Sequence, residues 1–366
     1  MAGSRRIVWH RTALLTLVLA GGSWMATSAR AADESSGETA EQKYVISIER
    51  IWDLAGHSAF TDIIEFRDYL YCSFREGSGH IPGLNGVVRV IRSQDGANWE
   101  SVACLDERHV DLRDPKLSLT PDGRLMINCG ASYYHGSQRL RIESRVAFSS
   151  SDGASFGPPV KVVFPPEMIT GGDWLWRVTW HAGVAWSCVT QAPRDGERGV
   201  RLVRSDDGIH YQEVAKLDVE GANETTVRFL PDETMVAMIR REAKPPVGYI
   251  GTARPPYREW TFKPSNKRYG GPNFVRLPGG AWLAGSRNYT PSAQTQLWWL
   301  EVESGQFRDL LTLPSGGDNS YPGFAIDEPN NRIYVSYYSS HEGKAAIYLA
   351  TLRLDALEEA AGVPSR

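Results

Sequence analysis

The 366-residue sequence is poor in cysteine, net charge and helical periodicity, and each shortage excludes something. Its four cysteines, Cys72, Cys104, Cys129 and Cys188, form no Cys-x-x-Cys pair and no Cys/His metal spacing, so no metal ligand set is expected. They lie in strand-like stretches such as Leu70-Tyr71-Cys72-Ser73-Phe74, which favours buried free thiols over disulfides. A formal net charge of −3 leaves no electrostatic footprint for nucleic acid or an anionic membrane. One apolar run stands out, from Ala13 to about Met25, and it is too short and too interrupted by Gly and Ser for a membrane span. Arg5 and Arg6 precede it and Ala29-Arg30-Ala31 follows, the layout of a secretory leader cut before Ala32. Ser4-Arg5-Arg6 also suits twin-arginine export. Residues 1–31 are therefore expected to be a signal peptide and 32–44 a polar, disordered linker. The mature protein is expected to be secreted or periplasmic, with no stable membrane span once the leader is removed.

Turn-forming and aromatic residues are abundant: 35 Gly, 21 Pro, 12 Trp and 15 Tyr. Three turns repeat one pattern: Ser93-Gln94-Asp95-Gly96-Ala97-Asn98-Trp99, Ser150-Ser151-Asp152-Gly153-Ala154-Ser155-Phe156 and Ser205-Asp206-Asp207-Gly208-Ile209-His210-Tyr211. Asp accepts hydrogen bonds from backbone N–H groups two residues on, Gly tolerates positive φ, and the closing ring can bury against a neighbouring sheet. A degenerate fourth copy, Pro255-Pro256-Tyr257-Arg258-Glu259-Trp260, puts its ring another 49 residues on, after steps of 57 and 55. Between turns the chain from Val45 reads as short strands, with hairpin signals at Thr120-Pro121-Asp122-Gly123, Pro231-Asp232-Glu233 and Pro278-Gly279-Gly280. A period of roughly 50 residues with several short strands per repeat is the signature of propeller blades. The expected fold is all-β, a six-bladed β-propeller over 45–354, with 355–366 as a helical or frayed tail.

Polar clusters at the blade entrances are the candidate chemistry. They are Arg75-Glu76…His80, Asp111-Leu112-Arg113-Asp114, Trp176-Arg177…His181, Asn223-Glu224, Arg240, Arg287 and Tyr337-Tyr338. In a propeller each blade sends a loop to one funnel, so these distant residues can converge, and the arginine fork matches a carboxylate.

The three turns resemble the Asp box of the sialidase superfamily, Ser-x-Asp-x-Gly-x-Thr-Trp, one residue shorter here. In that family the turn is a structural staple away from the active site, so it receives no catalytic role. The resemblance extends to order and spacing. Glu224 precedes Arg240 by 16 residues, Arg287 follows one blade on, and Tyr321 lies 34 beyond it. It implies that Tyr321 is the nucleophile, Glu224 takes its proton, and Arg240 and Arg287 hold a substrate carboxylate. Sialidases are the glycosidases known for a Tyr nucleophile. Two features depart from the family. The first-strand Arg-Ile-Pro is replaced by Ala59-Phe60-Thr61-Asp62-Ile63, and the acid/base Asp before the first box is missing. His80 is the candidate general acid in its place. Arg75 or Arg113 is the candidate replacement arginine, and Asp114, Arg177, His181 and Tyr338 complete the expected substrate-binding set. The implied function is a secreted exo-glycosidase acting on terminal acidic sugars, sialic acid or a uronate-containing glycan, without a cofactor. A polysaccharide lyase using His80 or His181 with Tyr321, and a non-catalytic glycan-binding propeller, are the alternatives.

Overall fold

Strand alternation explains the architecture directly. In the computed structural model, which describes residues 39–81, 86–193, 196 and 198–362, twenty-five strands form six antiparallel sheets. The innermost strands are His57–Phe66, Asp111–Leu119, the broken pair Asp173–Leu175 and Thr179–His181, Ala222–Phe229, Tyr269–Arg276 and Asn319–Asp327. These define blades 1 to 6. Blade 6 is closed by the first strand, Val45–Trp52, which pairs antiparallel with Ala346–Arg353 near the end of the chain. A sheet buried on both faces needs apolar residues on both, and the side-chain period of two divides them cleanly. Met235, Ala237 and Ile239 enter the cluster between blades 3 and 4, while Val236 and Met238 enter the one between blades 4 and 5. Six apolar clusters result, one for each contact between neighbouring blades.

The repeated turns tie each of blades 1 to 4 to the one before it. Asp95 Oδ1 accepts from the N–H groups of Ala97 and Asn98 at 2.9 and 2.8 Å, and Ser93 Oγ accepts from Gly96 N at 2.9 Å. Asp207 and Ser205 repeat the arrangement. Trp99 packs into the blade 6–1 cluster, Phe156 into 1–2, Tyr211 into 2–3 and Tyr257 into 3–4. In the degenerate copy Tyr257 occupies the seat of the turn glycine, at φ 63°. Trp260 Nε1 donates to its carbonyl at 3.0 Å, as Trp99 does to Gly96 at 2.9 Å.

All four cysteines are free, and three are buried; Cys104 is exposed, against the expectation for it. The expected signal peptide and residues 32–38 of the expected linker lie outside the described residues. The rest of that linker is not disordered. Thr39 and Gln42 form a reciprocal capping box at the helical turn Ala40–Tyr44. At the other end, the helix Leu354–Ala360 buries Leu354 and Leu357 against the blade 5–6 cluster. Among the described residues no helix is long and apolar enough to cross a membrane.

Candidate active site

A bulge recurs near the start of the innermost strand in five of the six blades. The ladder slips between Ala59 and Asp62, Arg113 and Lys116, Ala222 and Thr225, Gly270 and Asn273, and Ser320 and Gly323. Blade 3 instead breaks its strand around Trp176-Arg177. A bulge bends the strand and re-aims the extra residue. Phe60, Asp114, Gly271 and Tyr321 all sit there with positive φ, at 63°, 53°, 65° and 54°. Proline follows three of them (Pro115, Pro272 and Pro322), which suits a position where the ladder has no bond to lose. Left-handed backbone at a non-glycine residue costs about 1–3 kcal/mol and persists where the surroundings enforce it, often at functional sites.

The bulged residues meet around Tyr321. Its ring lies 5.3 Å from Phe60 and 6.0 Å from Trp176, both edge-on. A Cβ on Gly271 would come 2.5 Å from the Tyr321 ring, so only glycine lets the ring settle there. Tyr321 Oη donates to Glu224 Oε1 at 2.8 Å. Arg240 Nη1 reaches the same carboxylate oxygen at 2.8 Å and Tyr321 Oη at 3.1 Å, while its Nε donates to Glu242 at 2.6 Å. Tyr321 is 8% exposed and Glu224 2%. Burial, then the charge of Glu224, holds the phenol well above its usual range, with Arg240 and Arg287 pulling the other way. The resting group is therefore a neutral phenol hydrogen-bonded to a base. Below it Lys116, fully buried, lies 5.0 Å from the Trp176 ring and 5.8 Å from the Tyr321 ring. Burial and Arg177 bring its pKa down to about 8, against the pull of Asp62, Asp114 and Glu224.

A second knot centres on Asp318, which the sequence reading missed together with His57 and Phe60. Asp318 Oδ2 faces His57 Nε2 at 2.9 Å and His80 Nδ1 at 2.6 Å. Its Oδ1 accepts from Tyr338 Oη at 2.8 Å and Arg287 Nη2 at 3.2 Å. Burial opposes ionisation, but the bonds from His57, His80 and Tyr338 hold this carboxyl far below the ordinary carboxylate range. Phe60 joins the two knots, its ring 5.3 Å from Tyr338, Tyr321 and His80 alike. Arg113 stacks its guanidinium 4.9 Å from the Phe60 ring and bonds Asp114 Oδ2 at 3.1 Å. The guanidinium from blade 2 thus stands over the Phe60 ring on the innermost strand of blade 1. The residue before each Pro of the Asp114-Pro115, Gly271-Pro272 and Tyr321-Pro322 pairs was the available signal for the bulges.

Three expected substrate contacts are corrected. Arg75 is wholly buried, bonded to Asp111 Oδ1 at 2.6 Å and to the Gly79 carbonyl, so it braces the loop after its own strand. Arg177 is buried in an ion pair with Asp62, whose Oδ2 also accepts from Leu117 N. His181 stacks on Phe229 at 3.9 Å and pairs with Glu233, at the far end of the innermost strands from Glu224.

Among the described residues, His57, His80 and Asp318 could bring ligand atoms within 4.8 Å of one another. The fit to a metal is poor. His57 Nδ1 is buried without a partner, so a metal on Nε2 would strand an N–H there, and Arg287 already shares the carboxylate. With Nε2–H donating to Asp318 instead, only an acceptor is stranded. The cluster reads as a histidine–carboxylate network.

No family model matches the chain, and no curated protein matches it by sequence. Solved structures match its fold. A Dyadobacter fermentans protein of unknown function superposes with a TM-score of 0.72 at 19% identity, over 84% of this chain and 98% of that one. Trypanosoma rangeli sialidase matches with a TM-score of 0.68 at 15% identity, over 84% of this chain but 56% of the sialidase, so the likeness spans little more than half of that enzyme. A Penicillium chrysogenum alpha-L-arabinanase, solved with arabinobiose, matches with a TM-score of 0.67 at 12% identity, over 85% and 98% of the two chains. The fold is the six-bladed, sialidase-like β-propeller. At these identities the likeness establishes the fold and leaves chemistry to the site.

Proposed function

We propose that the protein is a glycoside hydrolase that cleaves a terminal acidic sugar through a tyrosine nucleophile, and that it works outside the cytoplasm. The observation that carries this reading is the Tyr321–Glu224 bond of 2.8 Å, closed by Arg240 on both partners. Glu224 accepts the Tyr321 proton as the phenolate oxygen bonds to the anomeric carbon, while the bond from that carbon to the leaving oxygen breaks. The leaving oxygen takes a proton from His80, whose Nδ1 faces Asp318 so that Nε2 is the nitrogen left for transfer. Water then attacks the glycosyl–tyrosine bond, gives its proton to His80, and Glu224 returns a proton to Tyr321.

A neutral phenol suits a sugar that carries a carboxylate beside its anomeric carbon, since an Asp or Glu nucleophile would be repelled there. Arg240 touches the Tyr321 hydroxyl and Arg287 lies 5.4 Å from its ring, so two guanidinium groups flank the point of attack. The likeness to sialidase and arabinanase folds is consistent with a glycan substrate. The test is release of the fluorophore from a fluorogenic sialoside by the wild type and by Tyr321→Phe. Release by the wild type and its loss in the variant is the expected result; equal release by both would remove Tyr321 from the nucleophile's role. Failure of both on sialosides and on uronate glycosides would overturn the hydrolase reading. An ultraviolet-absorbing unsaturated product from a uronate polysaccharide would replace it with a lyase.

A further inference from the structure

The arginines nearest Tyr321 are already matched by carboxylates. Arg240 pairs with Glu224 and Glu242, Arg287 with Asp318, and Arg113 with Asp114 and Asp111. Two arginines close by are not. Arg139 and Arg198 are exposed and have no hydrogen bond or ion pair among the described residues. Arg139 stands just beyond the tip of the longest hairpin, Leu125–His135 with Gln138–Phe148, and Arg198 precedes the strand Gly199–Ser205 in the next blade. They line one cavity of about 150 Å³ together with Trp174 and Asn223. Arg139 continues into an adjoining cavity of about 160 Å³ beside Arg141 and Thr170.

This groove begins at the catalytic pair. Asn223 is the residue before Glu224, and Trp174 packs edge-on against Trp176 at 5.0 Å, which in turn lies 6.0 Å from Tyr321. Two guanidinium groups with no carboxylate bonded to either among the described residues repel each other. Partial desolvation, then Arg113 and Arg198, hold the Arg139 pKa down, against the pull of Tyr134 and Asp114. An anion placed between the guanidinium groups relieves that repulsion, and the planar forks suit a carboxylate or sulfate. The half-buried Trp174 gives a sugar ring a face to lie on, and Asn223 offers both a donor and an acceptor to hydroxyls.

We propose that the groove from Asn223 past Trp174 to Arg139 and Arg198 is a second subsite, which binds the carboxylate or sulfate of a neighbouring sugar in an anionic glycan chain. This rests on the hydrolase reading above and deepens it: the substrate is an oligo- or polysaccharide with an anionic group on more than one residue, not an isolated acidic sugar.

The test is a direct binding measurement in the Tyr321→Phe background, where no turnover interferes. Tetragalacturonate supplies carboxylates alone, and a heparin-derived tetrasaccharide supplies sulfates as well. Binding that weakens with salt, and falls at least tenfold in Arg139→Gln/Arg198→Gln with an unchanged Tm, is the expected result. Arg139→Lys/Arg198→Lys should keep most of the affinity. Preference between the two probes tells carboxylate from sulfate. Equal affinity of the Gln double variant and its parent, or no binding of either probe at millimolar concentration, would overturn the subsite. Because the readout is binding, arginine-dependent affinity stands even where the wild type turns over no glycoside, and that combination would overturn only the hydrolase reading.

Discussion

Replacing Tyr321 by Phe and Glu224 by Gln, singly and together, tests the central pair. The phenol begins above its ordinary pKa of about 10, because burial and the Glu224 charge both oppose the phenolate. At pH 7 the free phenolate is then at most about one part in 10³, which corresponds to about 4 kcal/mol of barrier that a base in contact removes. Glu224→Gln should therefore lower kcat about 10³-fold, within the range usual for a positioned base. On an aryl glycoside, whose leaving group departs without a proton from His80, its residual rate should climb about tenfold per pH unit between 7 and 9, as hydroxide populates the phenolate that Glu224 no longer makes. Tyr321→Phe should abolish turnover, and the double variant should be no worse than Tyr321→Phe, because the two groups act as a unit. The Phe variant loses one hydroxyl while Arg240 keeps its bond to Glu224, so its Tm should move by only a few degrees. The assay is stopped-flow or fluorogenic turnover across pH with a thermal melt on each protein. Tyr321→Phe within tenfold of wild type, or a Glu224→Gln rate independent of pH, would refute the reasoning.

Other consequences follow from groups around the pair. Lys116 has its pKa lowered to about 8 on folding, so above that pH the unfolded chain holds the extra proton and stability rises until about pH 10.5. The rise attributable to Lys116 is at most about 3 kcal/mol; it should disappear from the urea-unfolding difference between wild type and Lys116→Met, and parallel curves would exclude it. The Asp318 carboxyl is held low, so its contribution is fully present above about pH 4 and is lost as pH falls through the folded value. Asp318→Asn should cost about 1–3 kcal/mol near neutrality, and the gap from wild type should narrow in acid; a gap constant down to pH 2 would contradict the network. Asp207→Ala should lower Tm and leave kcat and KM alone, since its carboxylate holds only a turn; a fall in kcat would place these turns nearer the chemistry. An aromatic disulfide reagent should titrate one thiol in the native protein, Cys104, and all four in denaturant; more than one fast thiol would contradict the burial of Cys72, Cys129 and Cys188.

Much of the architecture was legible before any coordinates. The repeated Ser-x-Asp-Gly turns marked the blades because their chemistry is local: the bonds of their Ser and Asp side chains lie within six residues. Glu224, Arg240, Arg287 and Tyr321 were singled out by order and spacing, which a regular blade preserves, and the fold brings the four side chains together. His181 and Arg177 were misplaced for a related reason. A strand carries polar residues at both ends and on both faces, and the pattern does not say which end meets the funnel. Asp318 and His57 lacked any motif, and their meaning comes from a contact across 261 positions of sequence.

The sequence by itself determined what period and local hydrogen bonding dictate: an all-β chain, six repeats, the turn staples and the apolar alternation on each strand. Tertiary structure decided which polar groups share a site. That outcome depends on closing six blades into a ring and on bulges that turn Phe60, Asp114 and Tyr321 off their ladders. Electrostatics also waited for the fold. A guanidinium in sequence is only a positive charge, and only the packed ring shows Arg240 and Arg287 matched by carboxylates while Arg139 and Arg198 have none among the described residues.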